Sequence, residues 1–303
     1  MKLHNLSLKD KALFSNYLKL CRHELSTYAF QNIYIWKGLF QITWAIIEDR
    51  LCVFFQDKIG SFLYLAPLGG EKKERALKKI FQILDGLNKN KDVSRIENVE
   101  APDAPLYQAL GYDCTLKSYD YLSLRSDLAE LRGVRFKSKR SSFNYFSKHY
   151  EFQYLPFSPE QKKPSLELYD CWTKQRESKI NEPLYQAMLR DSRHCLRNAL
   201  DNYPSLNLVA RVVKVNSRIK GFTCGFKLND DTFSILYETT DLSIKGLAQF
   251  IFRAFARELK DYKYINIMDD SGLQNLKNVK LSYHPARLIP AYIVRRKDVP
   301  AHS

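Results

Sequence analysis

No apolar run in this 303-residue chain approaches the roughly 20 residues that a membrane-spanning helix requires; the longest, such as residues 51–55, are strand-sized. The N-terminal Met1-Lys2-Leu3-His4-Asn5 lacks the apolar segment of a secretory signal. Cysteine is scattered: Cys21, Cys52, Cys114, Cys171, Cys195 and Cys224 lie far apart and form no CxxC pair. A disulfide framework and a zinc site are therefore not expected, and a reducing, cytoplasmic compartment is. Glycine and proline, 11 of each, are too few for a loop-rich or collagenous chain. GxSxG, Walker A and HExxH patterns are also missing, which removes the sequence support for hydrolase, NTPase and metalloprotease chemistry.

What is present is a globular composition with an unusual charge. Hydrophobic residues make up 45%, enough for two cores, and the length suits two domains of roughly 130–170 residues. The net charge of +15 favours an anionic partner: a nucleic acid, an anionic lipid surface or a phosphorylated cofactor. A solvated basic surface without a partner is the alternative.

Hydrophobic periodicity gives the same order of elements twice. Strands are expected at 40–47 and 51–56, joined at Glu48-Asp49-Arg50, and at 61–68, ending in Gly69-Gly70. A helix with Ala76, Leu77, Ile80, Phe81, Leu84 and Leu87 on one face follows, then a strand at 94–99, a small helix at 105–111 and a strand at 117–124. In the second half, strands at 208–215, 219–228 and 232–239 lead to a loop ending in Gly246. A helix with Leu247, Phe250, Ile251, Ala254, Phe255 and Leu259 on one face comes next, then a strand at 264–268, a small helix near 273–277 and a closing strand at 289–296. The expectation is an α/β chain of mixed sheets in two tandem GNAT-like (Gcn5-related N-acetyltransferase) domains, 1–130 and 131–303. The second would carry the active site.

Residues 127–152 between the halves are basic and aromatic, with Arg132, Arg135, Lys137, Lys139, Arg140 and Lys148 among Phe136, Phe143, Tyr145, Phe146 and Tyr150. Cations can neutralise phosphates and aromatics can stack on bases. The alternative is an amphipathic helix over 138–150 packing Phe143 and Phe146 inward, which leaves Lys139 and Arg140 as the ligand candidates. The helical stretch 166–200, with Trp172, reads as structural.

In the second half, Ser243-Ile244-Lys245-Gly246-Leu247-Ala248 partly matches the glycine-containing turn that presents a helix N-terminus to a diphosphate. In the first half Gly69-Gly70 is followed by Glu71, whose charge would repel phosphate. Glu238, at the end of an apolar strand, could act as a general base or hold an amine, or could simply face solvent. Asp269 and Asp270 follow the strand at 264–268, where open sheets bind ligands, and could equally cap the next helix. His284 before Pro285 is expected to be structural.

Two motifs carry a family resemblance. Ile265-Asn266-Ile267-Met268-Asp269-Asp270-Ser271-Gly272, continued by Lys280-Leu281-Ser282-Tyr283-His284-Pro285 and Tyr292, resembles the closing motif of DUF2156 proteins. These are similar to the C-terminal catalytic domain of phosphatidylglycerol lysyltransferases. Leu131-Arg132-Gly133 and Lys139-Arg140-Ser141-Ser142-Phe143-Asn144-Tyr145-Phe146 look like the same family's linker pattern, and Phe30, Asn32, Trp36 and Pro67-Leu68-Gly69 fit it too. The sequence departs from the pattern at Met268, where the family tends to have Glu, and in Leu273-Gln274-Asn275-Leu276-Lys277 after Gly272.

The resemblance implies a tandem GNAT enzyme, related in design to Fem-type aminoacyltransferases, that passes an amino acid from aminoacyl-tRNA to a lipid or peptide acceptor. tRNA and anionic lipid are then the expected partners, with no tightly bound cofactor. The membrane-embedded half of full-length lysyltransferases is not in this sequence, so contact with the inner membrane surface is expected to be peripheral. Glu238 or Asp270 would take a proton or orient the donor's ammonium. Lys139, Arg140 and Lys280 would bind phosphate, Ser282 and Tyr283 would shape the acyl pocket, and Asn144, Ser243, Gly246 and Asn266 complete the donor-binding set. An acyl-CoA-dependent N-acyltransferase and a catalytically silent GNAT-like protein that binds RNA or a partner are the alternatives. Oligomeric state is left open.

Overall fold

The computed structural model describes residues 2–70, 73–177 and 183–297. Glu71 and the middle of the 166–200 stretch lie outside the described residues. Twelve strands are present among them: β1 (His4–Asn5), β2 (Gln41–Ile47), β3 (Arg50–Gln56), β4 (Ser61–Leu63), β5 (Ile96–Glu100), β6 (Tyr112–Leu124), β7 (Phe152–Pro156), β8 (Val209–Val215), β9 (Arg218–Lys227), β10 (Thr232–Thr240), β11 (Tyr264–Asn266) and β12 (Arg287–Arg296). The helices are α1 (Lys11–Leu18), α2 (Phe30–Tyr34), α3 (Lys73–Leu87), α4 (Ala104–Ala109), α5 (Arg125–Glu130), α6 (Lys137–His149), α7 (Lys162–Glu177), α8 (Pro183–Asp201), α9 (Leu247–Glu258) and α10 (Gln274–Leu281).

The chain forms two compact units, one of residues 1–120, 269–272 and 288–303, the other of 121–268 and 273–287. The division expected at residue 130 runs along the chain, whereas the first unit takes segments from both of its ends and the second lies between them in sequence. The reason lies in the closing strands. β11 pairs antiparallel with β6, Tyr264 opposite Leu124 and Asn266 opposite Leu122, inside the second unit. β12 pairs antiparallel with β5, Ala291 opposite Glu100, inside the first.

In the first unit the sheet order is β1-β2-β3-β4-β5-β12. The α3 stripe predicted from sequence is the core except at its last residue, Leu87, which is exposed at the helix end: Ala76, Leu77, Ile80, Phe81 and Leu84 pack on Ala45, Cys52, Phe54, Leu63, Ile96 and Val294. Each fully buried aliphatic or phenyl side chain contributes about 1.5–3 kcal/mol, so such a stripe suffices to fix a helix on a sheet. β4 is shorter than the predicted 61–68. Its parallel pairing with β5 is confined to Leu63 and Ile96, and Tyr64 O is taken by the Asn98 side chain instead of a strand.

In the second unit the order is β6-β11-β10-β9-β8-β7, antiparallel except for the central β10–β11 pair. β7 is not among the expected strands: its five residues lie between the basic-aromatic segment, which they overlap only at Phe152, and the helical stretch 166–200, and are too few to give a clear alternation. α9 lies on this sheet through Leu247, Phe250, Ile251 and Phe255. Phe146 of α6 joins Phe250 at 4.8 Å between ring centroids, so the inward packing of α6 aromatics is observed. On the other side, Tyr237 of β10 donates to Ser192 O of α8 (2.9 Å).

Candidate active site

Three observations define a site in the second unit, and the first is a break in strand register. β10 pairs with β9 as Ile235–Gly225 and then Tyr237–Cys224, leaving Leu236 as an extra residue. Such a bulge reverses the alternation of side chains beyond it. Phe233 and Ile235 join the α9 core cluster, Tyr237 reaches α8, and Glu238 is delivered to the α6–α9 side. Without the bulge Glu238 would share a face with Ser234 and Leu236. Gly225 permits this geometry, because a Cβ there would meet Ser234 O at 2.1 Å and the Phe233 ring at 2.5 Å.

The second observation is where β10 and β11 part. They run parallel through three register pairs, ending at Ser234 opposite Asn266. β11 stops there, while β10 continues to Thr240. The buried Asn266 side chain accepts from Met268 N–H (2.7 Å) and holds Met268 in the left-handed region, φ 60°. Lys280, buried, donates to Ile267 O and to Met268 O (3.2 Å), which fixes the same turn from α10.

The third is the chemistry gathered beside Glu238. Its Oε2 is buried and has no hydrogen-bond partner. Burial pushes the carboxyl up to about 8, against the opposing pull of the Lys139 ammonium. Lys139, on α6, is pushed below the usual lysine value by burial, partly offset by Glu238, and its Nζ lies 4.1 Å from the centre of the Tyr283 ring. Burial first, then the Glu238 carboxylate, raise Tyr283. Tyr154 on β7 is raised by burial, by the neighbouring Glu258 carboxylate and, to a smaller degree, by Glu238. A carboxyl that titrates near neutrality, an ammonium with a weakened hold on its proton and two phenols are the groups that proton transfer requires.

The other sequence candidates are dispersed. Asp270 accepts from Gly272 N–H (2.9 Å), closing a turn within the first unit. Helix capping by Asp269 or Asp270 is corrected, since the N-cap of α10 is Leu273, with no side-chain cap. Arg140 donates to Leu131 O and to Gly133 O (2.6 Å). Asn144 is exposed on α6, and Ser282 Oγ donates to Val279 O (2.6 Å). His284 sits near Arg135 O (3.3 Å) and edge-on to buried Phe136, a structural place.

The turn before α9 is occupied by its own packing. Asp241, nearly buried, accepts from Ser243 N–H (3.0 Å) and Ser243 Oγ (2.6 Å), from Gln175 (2.9 Å) and from Lys220 (2.7 Å). Burial opposes its charge, but these partners together hold the carboxyl well below the ordinary range. Gly246, φ 84°, lies against α6, and a Cβ there would meet Ser142 O at 2.1 Å. Asp241 was overlooked in the sequence, although an Asp two residues before a Ser is the signature of such a turn. Tyr154 was hidden with β7, and the α9 arginines Arg253 and Arg257 were masked by that helix's apolar stripe.

Among the described residues, no helix is long and apolar enough to cross a membrane, and no cluster of His, Cys, Asp or Glu could hold a metal ion. A family model described as "Phosphatidylglycerol lysyltransferase, C-terminal" matches residues 18–295. No curated protein matches the chain. Among solved structures, a conserved protein of unknown function from Bacteroides thetaiotaomicron is similar at 27% identity, TM-score 0.87, over 98% of this chain and 100% of that one. The structure of L-PGS from Bacillus licheniformis is similar at 16% identity, TM-score 0.64, over 96% and 93%. A tandem GNAT protein from the clavulanic acid biosynthesis pathway is similar at 8% identity, TM-score 0.54, over 98% and 99%.

Proposed function

Because the chain belongs to the phosphatidylglycerol lysyltransferase C-terminal family and has a tandem GNAT fold, we propose that it is an acyltransferase that moves an amino acid from aminoacyl-tRNA to a nucleophilic acceptor. The observation that carries this reading is Glu238: a buried carboxyl titrating at about 8, set beside Lys139 and Tyr283 on a bulged strand. The acceptor's hydroxyl or amine attacks the ester carbonyl of the donor and gives its proton to the Glu238 carboxylate. The bond from that carbonyl carbon to the ribose oxygen then breaks. The ribose oxygen leaves with a proton returned by Glu238 or supplied by the Lys139 ammonium. Positioning and charge stabilisation carry such a transfer without a covalent enzyme intermediate. Asn266 and Lys280 act by holding the turn after β11, and Asp270 by closing the turn that follows.

The turn before α9 supports a donor other than acyl-CoA. A coenzyme diphosphate there would meet the charged Asp241, and the glycine that would let it approach is packed on Ser142 O. The basic balance of the chain suits tRNA and an anionic lipid acceptor. The protein would then work in the cytoplasm, in peripheral contact with the membrane.

The test is a transfer assay with purified protein, tRNA charged with labelled amino acids, and phosphatidylglycerol vesicles. Label should enter the lipid fraction, and Glu238→Gln should lower the rate by about 10²–10⁴-fold. Label retained on tRNA overturns the lipid-acceptor reading. Wild-type turnover in Glu238→Gln removes this residue as the base.

A further inference from the structure

We propose that Arg140, Arg253 and Arg257, together with the Phe143 ring, form a platform that docks the phosphodiester backbone of a structured RNA. The proposal rests on the RNA-donor reading above and names a surface on which that donor would sit. Arg253 and Arg257 stand one helical turn apart on α9, with Arg140 on α6. Arg253 donates to Ala129 O and Glu130 O (both 3.0 Å), and Arg257 to Ala129 O (3.1 Å). Arg140 binds Leu131 O and Gly133 O. Three guanidinium groups therefore converge on the C-terminal end of α5 and the residues just after it. The Arg253 and Arg257 guanidinium carbons lie 4.4 and 5.6 Å from the centre of the Phe143 ring.

Helix capping alone does not account for this arrangement. The carbonyls of Ala129, Glu130, Leu131 and Gly133, at and just beyond the end of the six-residue α5, accept the arginine donors, but these neutral groups leave three positive charges without a counter-charge. None of the three arginines forms an ion pair among the described residues. The carboxylates nearby in sequence are engaged elsewhere: Glu130 with Arg132 (2.5 Å), Asp127 with Arg135 (2.7 Å) and Glu258 with Arg211 (2.6 Å). The charged form of Arg253 is disfavoured by burial, then by Arg257 and Arg140. Like charges held together without a counter-charge are relieved by a bound anion.

The anion chemistry favoured is a run of phosphates. Arginine forks bind phosphate bidentately, and here the backbone carbonyls and the Phe143 ring fix their orientation in advance. A fixed array suits the regular spacing of phosphates along a nucleic-acid strand. A lipid surface is more commonly met by flexible lysines and apolar tips.

The experiment measures binding of uncharged tRNA to the full chain by fluorescence anisotropy across salt, for wild type and Arg253→Gln/Arg257→Gln. The double variant should bind about tenfold more weakly at low salt, and its slope of log K on log salt should be shallower by about 0.9 for each phosphate no longer neutralised. Arg253→Lys/Arg257→Lys, which keeps the charge, should retain the slope. If the Gln variant does not fold, phenylglyoxal labelling of the wild type reads the same surface. Protection of Arg253 and Arg257 by tRNA supports the platform, and equal labelling with and without tRNA overturns it.

Unchanged affinity and slope in the Gln variant overturn the platform, as does a variant that binds tRNA normally but loses binding to phosphatidylglycerol vesicles. Charged-tRNA transfer by the same preparations separates the two readings. Wild-type transfer with unaltered variant binding removes the platform alone, whereas a wild type that neither binds tRNA nor transfers from it removes both.

Discussion

Glu238 in the unfolded chain releases its proton near 4.5, and in the folded chain near 8. Between those values the folded state holds the extra proton, so stability falls as pH rises through this window. The contribution is fully present below about 4.5 and lost above about 8. Glu238→Gln cannot ionise and escapes the loss. Its melting temperature should match wild type at pH 4.5 and exceed it by on the order of 10 °C at pH 9, since a shift from 4.5 to about 8 is worth roughly 5 kcal/mol and each kcal/mol moves the melting temperature by roughly 2–4 °C. Thermal melts at both pH values check this, and a variant less stable than wild type at pH 9 would show that Glu238 is ionised and paired in the native site. The gain in stability and the loss of turnover belong together, since a buried ionisable acid is useful for transfer and unfavourable for folding. Glu238, Lys139 and Tyr283 were each nameable from sequence. Tyr154 was not, because its nearness to them depends on β7, a five-residue strand too short to show a clear alternation.

At the scale of the element, everything placed on Glu238 depends on the Leu236 bulge. Gly225→Ala would drive a methyl group into Ser234 O, so the strand pair must shift. We expect destabilisation of at least about 1–3 kcal/mol, typical of overpacking, and a fall in transfer larger than that of other variants equally destabilised. Urea unfolding paired with the transfer assay distinguishes the two effects; stability lost with turnover intact would mean the bulge does not position Glu238. Sequence periodicity found α3 and α9 because their apolar residues recur every three to four positions, and it located most strands by their apolar runs. It could not find the bulge, since one extra residue in a strand leaves the composition unchanged. Nor could it foresee which strands close each unit, because alternation shows which face is buried and says nothing about the neighbouring strand. The glycine turn at Gly246 has two readings for a related reason: the residue that permits a diphosphate to approach also permits a helix, α6, to do so.

For the molecule as a whole, a net charge of +15 acts at distances beyond any single contact. Association with tRNA should be accelerated by long-range attraction, with a rate constant that falls steeply as salt rises from about 50 to 200 mM. Stopped-flow mixing measures it, and a rate indifferent to salt would assign the charge to solubility alone. The pairing of β12 with β5 bears on how the protein is made. A chain leaving the ribosome exposes β5 some 190 residues before β12 arrives (residues 96–100 and 287–296). At roughly 5–20 residues per second that interval lasts about 10–40 s. The N-terminal half therefore cannot finish folding when its own synthesis ends, and its sheet is completed only once the ribosome has delivered β12.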